Sequence, residues 1–225
     1  MGEQSSVFDM IGPVMIGPSS SHTAGVVRIG RVARKILGSF PDMAEITFYN
    51  SFARTYEGHG SDKAIIAGLM DFKTDDIRIR TSFDEAHSVG FQYKFRSVGN
   101  SSTMHPNTVK VKAKTGEREI EVIGESRGGG VIKITEFNGF NVGFNANITT
   151  MILLADDKKG AIAFIATVLA NDECNIASMS VNRKGKNEKA CHVIEMDSKP
   201  PGITVDYLKH LPWVNEVIFI PDIDF

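Results

Sequence analysis

Three features of this 225-residue sequence predict an α+β protein of two domains. Glycine crowds into the first part, 18 of the 21 lying at or before Gly143, which marks many turns and close backbone approaches. Period-two alternation runs through the middle of the chain, as in Val109, Val111, Ile120, Val122, Ile132 and Ile134. After Ile148 the patterns follow one another as strand, helix, strand, strand, helix, strand. Texture places the domains at residues 1–145 and 148–225. Charge does not divide them, with 17 basic and 16 acidic residues before position 146 and 8 and 11 after it.

In the first domain, Ser19 to Thr23 precede Val26, Val27, Ile29, Val32, Ala33, Ile36 and Leu37, a one-faced helix stopped by Gly38 and Pro41. Ala44 to Tyr49 read as a strand. Ser61-Asp62-Lys63 open a second helix through Ile65, Ile66, Leu69 and Met70. Segments 89–96, 108–113, 118–124 and 131–136 read as strands of a sheet that helices cover on one face.

In the second domain, Ile148 to Ala155 form a buried strand and Asp156 to Gly160 a turn. Ala161, Phe164, Ile165, Val168 and Leu169 recur at helical spacing. Residues 174–183 and 190–196 alternate as two strands joined by Lys184-Gly185-Lys186-Asn187. Val205, Leu208 and Leu211 line a short helix, and Val214 to Ile220 form the last strand. This order is the ferredoxin-like split arrangement. A domain of this size is short of core, so docking or self-association is expected.

Composition excludes several functions. A net charge of -2 lacks the basic footprint of a nucleic-acid binder. No apolar run reaches membrane-spanning length, and no basic-then-apolar leader is read at the N-terminus. The two cysteines, Cys174 and Cys191, fit a reducing cytoplasm and stand in apolar segments as small hydrophobes. They are too few for a four-cysteine iron–sulfur site.

Three runs stand out as candidate sites. Gly17-Pro18-Ser19-Ser20-Ser21-His22-Thr23 sets hydroxyls and an imidazole at a helix start. Free N–H groups there suit a carboxylate or phosphate, and His22 can orient a ligand or carry a proton. Capping by one serine is the ordinary alternative. His59 stands between Gly58 and Gly60 just before the second helix, where another group can approach closely; an ordinary loop histidine is the alternative. Ser126-Arg127-Gly128-Gly129-Gly130 reads either as an anion-binding nest or as a loop between strands. No metal-ligand spacing and no Gly-x-Gly-x-x-Gly after a strand occurs.

Together these runs resemble the beta chain of the bacterial two-chain, iron–sulfur-dependent L-serine dehydratases. Gly17 to Thr23 matches that family's hydroxyl-rich signature, and Gly58-His59-Gly60-Ser61-Asp62-Lys63 matches its glycine–histidine motif. The tail resembles an ACT domain, with Asp157-x-x-Gly160 after its first strand and Asn175-Ile176 opening the second. Lys159 departs from the proline frequent before that glycine.

The resemblance implies an allosteric-substrate-binding-like domain followed by an ACT domain, working in a cytoplasmic heteromer. It implies conversion of L-serine to pyruvate and ammonia, without pyridoxal phosphate. The [4Fe–4S] cluster, whose open iron acts as a Lewis acid on the substrate hydroxyl, would be held by an alpha subunit. No metal would be bound by this chain. Carried over, His59 and His22 are the catalytic candidates. Ser19, Ser20, Ser21, Thr23, Arg127, Gly128 and Gly129 are the substrate-binding candidates. Asp157, Gly160, Asn175 and Ile176 would flank an ACT amino-acid site, with self-association through that domain. Two other readings stand beside this one: a stand-alone amino-acid sensor, and a regulatory fragment related to phosphoglycerate dehydrogenase.

Overall fold

The structure is a computed structural model and describes residues 14–99, 101 and 103–223. The expected domain limits at residues 1 and 225 lie outside the described residues. The chain mixes α and β elements in two sheets and divides into two compact units, one ending at Asn138 and the other beginning at Gly139.

The first unit begins with α1 (Gly25–Leu37), buried along almost its whole length. It stops at Gly38, whose left-handed φ of 81° returns its N–H to Arg34 O at 3.1 Å. Arg118 donates from Nε to Leu37 O (2.8 Å) and from Nη2 to Ile36 O (2.9 Å), satisfying carbonyls that the helix leaves open. Next come β1 (Met43–Tyr49), α2 (Asn50–Thr55), α3 (Ser61–Leu69) and α4 (Ser82–Ser88). A 3-10 turn, Ile77–Thr81, leads into α4. The strands that follow are β2 (Gln92–Val98), β3 (Thr108–Thr115), β4 (Arg118–Gly128) and β5 (Val131–Phe137).

α1 crosses α3 where two glycines meet. A methyl group on Gly68 would lie 2.2 Å from Val27 O, and one on Gly30 would lie 2.8 Å from Ile65 O. The two backbones therefore touch, which seats the second half of α3 on the first half of α1.

Strand order in the first unit's sheet is β2-β1-β3-β4-β5, and the next strand along the chain is β6 (Phe140–Phe144). β1 and β2 are parallel, and β1–β3, β3–β4 and β4–β5 are antiparallel. By compactness β6 opens the second unit, and Phe140, Val142 and Phe144 are its buried positions.

The second unit continues with β7 (Thr149–Asp156), α5 (Ala161–Asn171), β8 (Ile176–Arg183), β9 (Lys189–Met196), α6 (Gly202–Lys209) and β10 (Val214–Ile220). Its sheet is antiparallel in the order β10-β7-β9-β8, which leaves β8 at an edge. Met151, Leu153, Ile194 and Met196 on one sheet face pack with Ile165, Leu169 and Leu208 of the helices. No helix among the described residues is long and apolar enough to cross a membrane.

Some short elements escape the sequence reading. α2 and α4 have six and seven residues, too few to show helical periodicity. The strand expected at 89–96 begins later, at Gln92, because Val89 and Gly90 close α4 first, Gly90 with a φ of 74°. Gly128 pairs with Val131, so Gly129 and Gly130, at φ 58° and 83°, form a two-residue hairpin turn. The glycine run is therefore a loop between strands rather than a nest.

Candidate functional site

The hydroxyl-rich run folds as one π-helical turn, Ser20–Ala24, that runs directly into α1. Ser19 is extended and caps it, accepting the His22 N–H on Oγ at 3.3 Å, while Thr23 N–H reaches Ser19 O at 2.8 Å. Inserted π-turns of this kind redirect side chains that an α-helix would point elsewhere. Here the widened turn sends Ser21 toward the β4–β5 hairpin and His22 toward α2. Ser126 Oγ donates to Ser21 O at 2.9 Å, and a methyl group on Gly25 would lie 2.1 Å from that Oγ. Buried Arg28 donates to Gly130 O at 2.8 Å and fixes the hairpin behind it.

His22 is held on both ring nitrogens. Thr55 Oγ1 donates its proton to Ser51 O at 2.9 Å, so its lone pair accepts from His22 Nε2–H at 3.1 Å. Nδ1 is then the acceptor for the Ser19 hydroxyl at 3.2 Å. The ring edge meets Phe52 at 5.0 Å between centroids, and the His59 ring lies 4.5 Å away. Burial, and second the charge of His59, hold His22 below its usual pKa and favour the neutral ring. His59 itself is exposed, on the turn whose Gly60 takes a φ of 70° to start α3.

Beside these rings lies an open cleft of about 640 Å³, lined by Met15, Ile16, Gly17, Pro18, Thr23, His59, Gly60, Lys63, Ile79 and Arg80. Its outer wall is pinned by Ile16 N–H to Thr74 O (2.8 Å) and Thr74 Oγ1–H to Val14 O (3.0 Å). Thr23 is 2% exposed, and its Oγ1 has no hydrogen-bond partner among the described residues. Among the described residues, the lining includes two cations and no carboxylate.

The family model for the serine dehydratase beta chain matches residues 6–136. A "Probable L-serine dehydratase, beta chain" of Bacillus subtilis is 46% identical over 217 residues, 96% of this chain and 98% of that one. The chain belongs to the serine dehydratase beta chain family. The L-serine dehydratase beta chain of Peptoniphilus asaccharolyticus is 37% identical over 85% of this chain and 87% of its own. A D-3-phosphoglycerate dehydrogenase of Bacillus subtilis is 25% identical over 70% of this chain but only 30% of its own length.

Within this beta chain the sequence candidates separate. Ser19, Ser21, His22, Thr23 and His59 gather around the π-turn, and Ser20 accepts the Gly25 N–H on its backbone oxygen, as the turn requires. Gly128 approaches the Ser21 hydroxyl, while Arg127 is engaged by Glu125 at 2.6 and 3.0 Å and does not line the cleft. Thr55 and Phe52, which hold His22, carry no sequence signal, since α2 is too short to display one. Lys63 and Arg80 stand far apart in the sequence, and the fold brings them to one cleft.

In the second unit, Asp157 accepts from Arg183 Nη1 (3.1 Å) and Asn187 N–H (3.0 Å). The Asn187 bond first, then Arg183, holds its carboxyl below the usual range. Gly160 caps α5 with a φ of 81°. Asn175 donates to Asp197 Oδ2 at 2.6 Å, and Ile176 pairs with Met196. Asp157 follows the residue paired with Lys189, at one end of β9, whereas Ile176 is paired at the other end. At about 3.3 Å per residue the two pairs stand on the order of 20 Å apart within one chain.

Cys174 and Cys191 are both buried, and burial pushes the Cys191 thiol up to about 12. A cluster needs three or four thiolates converging on one place, and this chain has two cysteines, with the Cys191 thiol held protonated. No group of three His, Cys, Asp or Glu among the described residues is placed to hold a metal ion. This chain's residues do not fit an iron–sulfur cluster.

Proposed function

We propose that this chain is the beta half of a cytoplasmic two-chain L-serine ammonia-lyase, whose alpha subunit holds the [4Fe–4S] cluster and whose products are pyruvate and ammonia. Family membership across nearly the whole chain supports the activity. The arrangement of His22 and His59 at a cleft supports the part assigned to this chain. Elimination of water from serine removes a proton from the α-carbon and the hydroxyl from the β-carbon. What this chain can supply is enclosure, orientation and proton transfer. The exposed His59 exchanges a proton at its ring nitrogen, and His22, neutral and fixed on both nitrogens, positions it. Thr23 lines the cleft that takes the substrate, and Ser19, Ser20 and Ser21 build the turn behind it, with the hairpin at Gly128 and Gly129 backing Ser21.

The domains are read as an allosteric-substrate-binding-like domain at 1–145 and a ferredoxin-like ACT domain at 148–225. The β10-β7-β9-β8 order and the two helices on one face support the second. Asp157 and Gly160 at one end, and Asn175 and Ile176 at the other, are read as halves of effector sites that are completed when chains associate. The open edge of β8 supports that association. Sedimentation of the full chain is expected to exceed the 24.6 kDa monomer. A monomer at every concentration would remove this part.

The deciding experiment is pyruvate formation by the assembled enzyme carrying His59→Ala, with cluster content and assembly checked first. Turnover is expected to fall by a factor of about 100 or more. Parental rates at low and saturating serine would end the reading.

A further inference from the structure

The cleft holds more than the histidine function requires. Lys63, at the start of α3, and Arg80, at the end of the 3-10 turn, come from separate segments, and both side chains are exposed at the same opening. Neither forms an ion pair among the described residues, although several cations of this unit do: Lys94 and Arg96 share Glu45, Lys110 and Lys112 share Glu121, and Arg78 holds Asp76. Asp62, next to Lys63, spends a carboxylate oxygen on the Lys63 backbone N–H at 2.8 Å and is not part of the lining. Thr23 adds a hydroxyl that is buried without a partner, a state that costs free energy unless some ligand relieves it. Met15, Ile16, Pro18 and Ile79 supply an apolar rim that weakens competition from water.

We propose that Lys63, Arg80 and Thr23 form a carboxylate-anchoring subsite, and that it takes the α-carboxylate of the amino-acid substrate. This rests on the dehydratase reading for the identity of the ligand, and adds to it the residues that fix the ligand's orientation. Two cations on separate segments recognise one carboxylate with a defined direction, which turns the rest of the amino acid toward His59 on the same wall. Surface charges this exposed can be removed without disturbing the core.

The experiment is steady-state kinetics of the assembled enzyme carrying Lys63→Met, Arg80→Met and both, with 3-hydroxypropionate as a competitive probe. That compound keeps the carboxylate and hydroxyl of serine and lacks the amine. Each single variant is expected to raise KM for serine and Ki for the probe by about tenfold, and the double variant by more, with kcat within about twofold. Thr23→Val is expected to raise both constants, whereas Thr23→Ser restores them. KM and Ki unchanged in the double variant overturn the subsite and leave the dehydratase reading standing, since that reading is decided by His59→Ala turnover. The converse result, weaker probe binding by calorimetry together with a His59→Ala enzyme of full activity, supports the subsite and removes the catalytic reading. A kcat that falls with KM unchanged also overturns it, because these side chains would then act on the chemistry rather than on binding.

Discussion

The imidazoles of His22 and His59 face each other 4.5 Å apart, their planes inclined by 40°. They are unequal partners. His22 is bonded on both nitrogens, and its neighbours hold it in one orientation. His59 is exposed and makes no side-chain hydrogen bond among the described residues. The fixed ring is held neutral by burial, and the exposed ring beside it is free of such side-chain anchors among the described residues.

Three imidazoles set the behaviour of this chain in mild acid. His22, His105 and His192 are each held below the usual value of 6.5, in every case first by burial. The unfolded chain takes up these protons as pH falls through 6.5, while the folded chain resists. Stability therefore declines from about pH 6.5 downward, until each folded-state pKa is reached. His192 is the clearest test. It is 2% exposed, paired across the sheet with Leu153 and Val181, and neither ring nitrogen has a partner among the described residues. His192→Leu is expected to match the parent or exceed it by about 1 kcal/mol at pH 7.5. Its urea midpoint should also fall less between pH 7.5 and 5.5 than the parent's. A variant weaker than the parent at pH 7.5 would mean that the ring is satisfied in solution.

That histidine also shows where reading a sequence stops. Alternation placed His192 within a strand, as observed, because period two is a local property. Whether its nitrogens are satisfied depends on helices packed against that face, which alternation does not encode. The same limit separates Ser19 to Thr23, legible as hydroxyls at a helix start, from Thr55, which orients His22 from a six-residue helix with no pattern of its own. The anion-nest reading of the glycine run fails for a related reason. The run states only that positive φ is needed, and two-residue hairpins and nests both need it.

Backbone contact between α1 and α3 joins the two helices that follow the turns carrying His22 and His59. Gly68→Ala would drive a methyl group to 2.2 Å from Val27 O, a backbone atom that can yield only by separating the helices. A loss of about 3 kcal/mol is expected in urea unfolding, at the upper end of overpacking costs. Serine turnover in the assembled enzyme should fall as well, since the two imidazoles ride on these helix starts. A stable, fully active Gly68→Ala protein would show that the crossing tolerates adjustment.

The cysteines give a chemical check on the division of labour between the two chains. With both thiols buried and Cys191 pushed up to about 12, neither should react with a disulfide reagent at pH 8 until the chain is unfolded, when two should react. Anaerobic incubation of the isolated chain with ferrous iron and sulfide should give no bound cluster and no pyruvate from serine. Stoichiometric iron and sulfide on the isolated chain would contradict the assignment of the cluster to the partner.

Thr55 offers the sharpest test of positioning, because it touches His22 but does not line the cleft. Its hydroxyl accepts from His22 Nε2–H and donates to Ser51 O, so it transmits the orientation of the α2 backbone to the imidazole. Thr55→Val keeps the shape and removes both bonds. The freed ring can then rotate or change tautomer, and Nδ1 is no longer held for Ser19. Turnover by the assembled enzyme is expected to drop by about tenfold or more with KM for serine little changed, because the loss falls on geometry during reaction. The acid limb of the pH–rate profile should move too, since the Thr55 oxygen no longer accepts from the His22 ring. Thr55→Ser restores the hydroxyl and should recover most of the rate. Val and Ser variants equally impaired would point to packing against Phe52 instead. Val and Ser variants both equal to the parent would show that the orientation of His22 does not matter to the reaction.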